Sequence, residues 1–211
     1  MRHGQSIADV EQRFGNQAKD PLTGLGRKQA ALAAQWIKAK FQPCRIVSSA
    51  LARAKETAET VAALLGVPVE YEPDLIERNN GELANLTKAE AHARGLIPPE
   101  RPDYLPHESV AGGETLIEFG ARAETFWSRL LSQSKAGQRI LIVSHGQMIE
   151  MLFRCFLNLP LDDCVRLMTS DTGIHDWSLR GLERRIRFSN SQVHLDLAGM
   201  KSPSIHLHDG H

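Results

Sequence analysis

Two His-Gly steps stand far apart in this 211-residue sequence, Arg2-His3-Gly4 and His145-Gly146, with Arg53 between them. A neutral imidazole nitrogen is a nucleophile, and with an unperturbed pKa of about 6.5 a useful fraction of His3 is neutral near pH 7. Guanidinium forks bind anions. Glycine beside each histidine lets the backbone turn tightly and lets an anion come close. Singly, each residue has an ordinary structural explanation; their chemistry depends on whether the fold brings them together.

The surrounding elements predict that it does. Leu25, Leu32, Trp36 and Ile37 recur at helical spacing over 23–41, and the β-prone run 45–49 leads directly into a helix carrying Leu51, Ala54, Ala58, Val61 and Leu65. A short strand is expected near 67–71. Leu116, Phe119, Ala123, Phe126, Leu130 and Leu131 mark another helix, with Thr115 among its candidate caps. The apolar, β-branched run 139–144 then reads as a strand covered on both faces, followed by a helix from Gln147 to Leu157. Stretches at 176–179 and 185–189 are candidates for further strands. Alternating strands and helices predict an α/β fold, a three-layer sandwich with a mostly parallel central sheet flanked by helices, and such sheets bind ligands at the carboxyl ends of their strands. Arg53 and His145 fall just after two of those ends, and a helix following each supplies free N–H donors.

Composition narrows the function classes. Twenty-five basic and 25 acidic residues cancel, so no global field attracts nucleic acid or an anionic membrane. Cys44, Cys155 and Cys164 form no C-x-x-C pair, which fits a reducing cytoplasm. The most apolar stretch, 148–157, is interrupted by Glu150 and Arg154, and no basic-then-apolar leader opens the chain, so neither a membrane span nor a signal peptide is expected. His206, His208 and His211 read as part of a flexible Gly-containing tail, and no metal or cofactor is expected.

Arg2-His3-Gly4-Gln5-Ser6, then Asp20-Pro21-Leu22-Thr23 with Gly26 and Gln29-Ala30, resembles the opening of the histidine phosphatase superfamily (phosphoglycerate-mutase-like, branch 1). Ser48-Ser49-Ala50-Leu51-Ala52-Arg53-Ala54 with Thr57-Ala58 resembles its second motif. Glu77 followed by Gly81 resembles its acid-bearing loop, Gly113-Glu114-Thr115 with Arg122 its pre-helix segment, Ser144-His145-Gly146 its second histidine, and 190–195 its closing Asn-x-x-x-His-Leu stretch. The resemblance spans residues 2–195. It implies that His3 is the nucleophile, that Arg2, Arg53 and His145 hold the phosphoryl group together with Gly146 and Gln147, and that Glu77 is the general acid. Those roles suit the chemistry: fixed Arg forks and a second imidazole stabilise charge on the equatorial oxygens without a metal, and a carboxyl of raised pKa protonates the leaving alkoxide, then activates water.

Two departures stand out. Asp9 occupies the position where the family carries a phosphate-binding Asn. A carboxylate there points away, is replaced by another donor such as Asn16, or meets a substrate bearing a positive group. The family also has a strand leading into Arg-His-Gly, whereas here Met1 stands directly before Arg2, so that strand is expected to be missing and its neighbours to need other partners.

The expectation is a single domain over 1–200, with 78–113 as a substrate-selecting insertion or lid and 201–211 as a flexible tail. The expected activity is hydrolysis of phosphate monoesters through a phosphohistidine, on a small phosphorylated metabolite or a phosphoprotein, with a homodimer left open. A phosphoglycerate-type mutase and a non-catalytic phosphate-binding regulator are the alternatives; a mutase of this type carries an Arg-Arg pair in the insertion, which here has isolated Arg78, Arg94 and Arg101.

Overall fold

The computed structural model describes residues 1–15, 20–97, 105–161 and 165–200. In chain order the elements are α1 (Ile7–Val10), α2 (Gly24–Lys40), β1 (Arg45–Ser48), α3 (Ala52–Leu65), β2 (Val69–Tyr71), α4 (Lys88–Ala93), α5 (Leu116–Gln133), β3 (Ile140–Val143), α6 (Gly146–Leu157), β4 (Ile174–Arg180), β5 (Glu183–Ser191) and α7 (Val193–Asp196).

β1 lies at the centre of a parallel sheet of order β2-β1-β3, with Val47 opposite both Glu70 and Ile142. Its alternation builds the layers. Ile46 points into one core with Ala33, Ala34 and Ile37 of α2 and Ala54, Ala58 and Val61 of α3. Val47 points the other way, against Phe119, Ala123 and Phe126 of α5 and Met148, Met151 and Leu152 of α6. Helices therefore cover both faces, as the strand-helix alternation predicts.

Of the large residues that mark α2, Ile37 lies on its fully buried face, but the others do not. Leu25 is exposed and Trp36 half-buried, while Ala30, Ala33 and Ala34 are fully covered. Small residues there meet the alanines of α3, so the two helices approach closely without bulky side chains between them. Thr23 caps α2 by accepting from the Gly26 amide, and Thr115 with Glu118 forms a reciprocal capping box on α5.

β3 is less covered than its composition predicts: only Val143 is fully buried. The physical reason lies at its outer edge. Residues 1–3 run beside its end, with His3 N donating to Ser144 O and Ser144 N donating to Met1 O, and leave the earlier part of β3 unpaired on that side. The strand expected to be missing before Arg2 is thus represented by this short pairing. β4 and β5 form a separate antiparallel hairpin, so they do not extend the parallel sheet directly. Trp177 of β4 stacks on Phe156 of α6, tying the hairpin to the main body.

The 78–113 segment has its own small core of Leu83, Leu86 and Ala91, against which Phe14 packs. Pro98, Pro99, Arg101, Pro102 and Asn16 lie outside the described residues, as do Cys164 and the tail after Met200 with its three histidines.

Candidate active site

The carboxyl ends of β1 and β3 and the segment beside them gather the expected groups. His3, Arg53 and His145 are all at least nine-tenths buried. The amide of His3 is tied to Ser144 O and its carbonyl to Thr172 N, while Gly4 N donates to Thr57 Oγ1, which itself donates to Arg53 O. The segment also lies flat against the start of α2. A Cβ on Gly4 would stand 2.5 Å from Gly26 O, and one on Gly26 would stand 2.1 Å from Gln5 O, so both glycines are required by direct backbone contact.

These ties orient the imidazole. His3 Nδ1 lies 2.8 Å from Gly4 O, which can only accept, so Nδ1 carries the proton. Nε2 then holds the lone pair and accepts from Arg53 Nε at 3.1 Å. Burial, with Arg53 and Arg2 nearby, lowers the His3 pKa to about 3 against the opposing pull of Asp9. The His145 ring stands 5.0 Å from that of His3, and its Nε2 is 2.8 Å from Ser49 Oγ. Burial and the same arginines hold His145 well below its ordinary pKa too. Both rings are neutral near pH 7.

Arg2 is held by acceptors before any substrate arrives. Its Nη1 donates to Thr169 O at 3.0 Å and its Nη2 pairs with Asp9 Oδ1, with Asp171 Oδ1 3.6 Å away. The other Asp9 oxygen accepts from the amide and hydroxyl of Ser6 in the capping box of α1. Burial pushes the Asp9 pKa up, but Arg2, His3 and the Ser6 hydrogen bonds outweigh it and hold it at about 2. Asp9 does not point away: its carboxylate stays at the pocket wall and is neutralised by Arg2, while Asn16 lies outside the described residues.

Glu77 caps α6. Its Oε1 accepts from the amides of Arg78 and Met148, each at 3.1 Å, and its Oε2 from that of Gln147 at 3.2 Å. The Gln147 amide, expected to meet an anion, is therefore engaged by this carboxylate, leaving its side chain facing the cavity. Burial raises the Glu77 pKa despite those bonds and the nearby Arg53. The loop bearing Glu77 is braced by Arg122, which donates to the carbonyls of Asp74, Ile76 and Glu77 and pairs with Glu114. The sequence motif contained Arg122 and Glu114, but not their task.

Arg2, His3, Arg53, Glu77, Gly146 and Gln147 line one open cavity of about 360 Å³, with Asp9, Phe14, Asn80 and Met168 also in its wall. Arg2 Nε and His145 Nδ1 are buried without a protein partner, an arrangement that costs about 1–3 kcal/mol per group unless an acceptor completes it. Among the described residues no cluster of three or more His, Cys, Asp and Glu could hold a metal ion, and no helix is long and apolar enough to cross a membrane.

Comparison with known proteins gives one family. The model of the histidine phosphatase superfamily (branch 1) matches residues 1–192. A glucosyl-3-phosphoglycerate phosphatase from Mycolicibacterium vanbaalenii is 33% identical over 77% of this chain and 75% of its own length. A protein named probable phosphoglycerate mutase from Yersinia enterocolitica is 31% identical over 76% and 74%. Among solved structures, mycobacterial glucosyl-3-phosphoglycerate phosphatase in complex with VO3 superposes with a TM-score of 0.79 at 28% identity, over 90% of this chain and 96% of that one.

Proposed function

This chain belongs to the histidine phosphatase superfamily (branch 1), and from that premise we propose that it is a phosphatase that hydrolyses phosphate monoesters through a phosphohistidine on His3. The single observation that carries the mechanism is the fixed tautomer of His3, a residue lining the cavity, whose unprotonated Nε2 is held by Arg53.

In the first step His3 Nε2 attacks phosphorus and the ester P–O bond breaks. Arg53 shifts its hydrogen bond from Nε2 to a phosphoryl oxygen, while Arg2 Nε and His145 Nδ1 donate to the others, where charge accumulates. Glu77, whose acid form burial favours, gives its proton to the leaving alkoxide. Water then attacks phosphorus, Glu77 takes a proton from it, the P–N bond breaks and inorganic phosphate leaves.

The substrate class is a small phosphorylated metabolite, as the glucosyl-3-phosphoglycerate phosphatases support. Asn80 and Phe14, which packs against the 78–113 segment, both line the cavity, and this supports that segment as the part that chooses the substrate. Free thiols at Cys44 and Cys155 support a cytoplasmic location.

Phosphate release from an aryl phosphate, with and without EDTA, tests the reading. EDTA-resistant turnover lost in His3→Ala, with acid-labile and alkali-stable phosphate on the native protein, is the expected result. Exchange of phosphoryl groups between phosphoglycerates without net release would instead select the mutase.

A further inference from the structure

The turn at residues 169–173 takes no part in the proposed chemistry, yet it grips the segment carrying it at four points. Gly173 O accepts from Arg2 N and Thr172 N donates to His3 O, at 3.2 and 3.1 Å. Thr169 O accepts from the Arg2 guanidinium, and Asp171 Oδ1 lies 3.6 Å from it. Behind the turn, Asn190 Oδ1 accepts from Ser170 N at 2.7 Å and Gln192 Nε2 donates to Asp171 O at 2.8 Å. Thr172 has a φ of 51°, unfavourable for a β-branched residue, and its Oγ1 is 2.9 Å from His194 Nε2. A strained residue persists only where its surroundings over-determine it.

One guanidinium thus faces two carboxylates, Asp9 and Asp171, and a phosphoryl group would be the third anion to claim it. We propose that Asp171 is a positioning residue for Arg2 that competes with the phosphoryl group, so that anion binding in this pocket is linked to a proton on Asp171. The proposal rests on the reading of the cavity as a phosphoryl site.

The neighbouring groups leave Asp171 as a titrating member of this set near neutral pH. Burial raises its pKa to about 6 against the pull of Arg2, with Asp9 adding to the rise. Asp9, at about 2, stays ionised. Burial lowers His3 to about 3, His175 on β4 to about 3 and His194 on α7 to about 4, so all three are neutral above pH 5. Glu77 also acts on Arg2 and titrates in its own right; its contribution cancels when two proteins differing only at Asp171 are compared. Coupling is reciprocal: an anion on Arg2 draws Arg2 from Asp171 and favours the protonated carboxyl, and protonation strengthens anion binding by the same factor.

Calorimetric titration with sulfate, a dianion throughout the range used, tests this without turnover. Asp171→Asn is compared with the native protein from about pH 5 to pH 8, with Asp171→Ala as a second variant should the first not fold. The expected result is tighter binding to the variant by about tenfold at the alkaline end, converging on equal affinity at the acid end. A ratio that is constant with pH, or weaker binding to the variant at alkaline pH, overturns the proposal while leaving the phosphoryl site intact. Failure of the native protein to bind sulfate at all overturns the site reading, and this inference with it.

Discussion

The Glu77 carboxylate and the Met148 amide, 3.1 Å apart, join the loop after β2 to the first turn of α6. The helix dipole and three N–H donors favour the ionised carboxylate, whereas burial favours the acid, and burial prevails. A group balanced in this way can serve as acid in one step and base in the next.

Glu77→Gln keeps the shape and loses the proton. For an alkyl phosphate, whose leaving group needs that proton, kcat is expected to fall by roughly 10²–10⁴-fold. For an aryl phosphate with a good leaving group the fall in the first step is much smaller. Single-turnover rates of His3 phosphorylation on the two substrate classes check this, because the later hydrolysis is common to both; equal losses in that first step would remove Glu77 from the acid role.

Gly4→Ala places a methyl group against Gly26 O, where neither backbone can move without disturbing the Gln5 segment. Overpacking of this kind costs about 1–3 kcal/mol, and it displaces His3 at the same time. Denaturant unfolding should show the stability loss, and phosphate release a greater proportional loss of activity than the stability change alone explains.

Much of this was legible in the sequence where a residue's role is local. Ile46 and Val47 announce a strand buried on two faces, and the strand-helix junctions put Arg53 and His145 at one end of the sheet. The pairing of Asp9 with Arg2 was not legible. It depends on Ser6 capping the four-residue helix α1 and aiming the carboxylate, a geometry with no periodicity to read. The turn bearing Asp171 is polar and aperiodic for the same reason, and the capture of the Gln147 amide by Glu77 joins positions that only the tertiary fold brings together. On α2, Ile37 lies on the buried face as its spacing predicts, but close helix contact fills the rest of that face with alanines.

Arg122→Lys keeps a cation near Glu114 but loses the fork that reaches three carbonyls of the Glu77 loop. Arg122→Met also leaves the Glu114 carboxylate without its counter-charge, with only the Asn79 amide, among the described residues, still donating to it, which should destabilise the protein by on the order of 3 kcal/mol. Lysine is therefore expected to preserve most of the melting temperature while lowering kcat about tenfold. Full activity in Arg122→Lys would show that the loop needs the charge and not the fork.

The depressed pKa of His3 makes a prediction about acid stability. In the unfolded chain its imidazole takes up a proton below its ordinary value of about 6.5, whereas in the fold it remains neutral down to about 3. The unfolded state therefore binds more protons in that window, and the stability contributed by neutral His3 is fully present above pH 6.5 and lost as pH falls towards 3. At pH 5 the loss from this one group is on the order of 2 kcal/mol. Asp171 opposes it, because its raised pKa of about 6 lets the folded state take up a proton earlier than the unfolded chain does. His3→Asn removes the first effect and leaves the second. Its unfolding midpoint in urea should consequently fall less than that of the native protein between pH 7.5 and pH 5, although the variant is inactive. An equal fall in both proteins would mean that His3 is protonated in the fold at pH 5, and the neutral nucleophile assigned to it would then have to come from a smaller fraction of the enzyme.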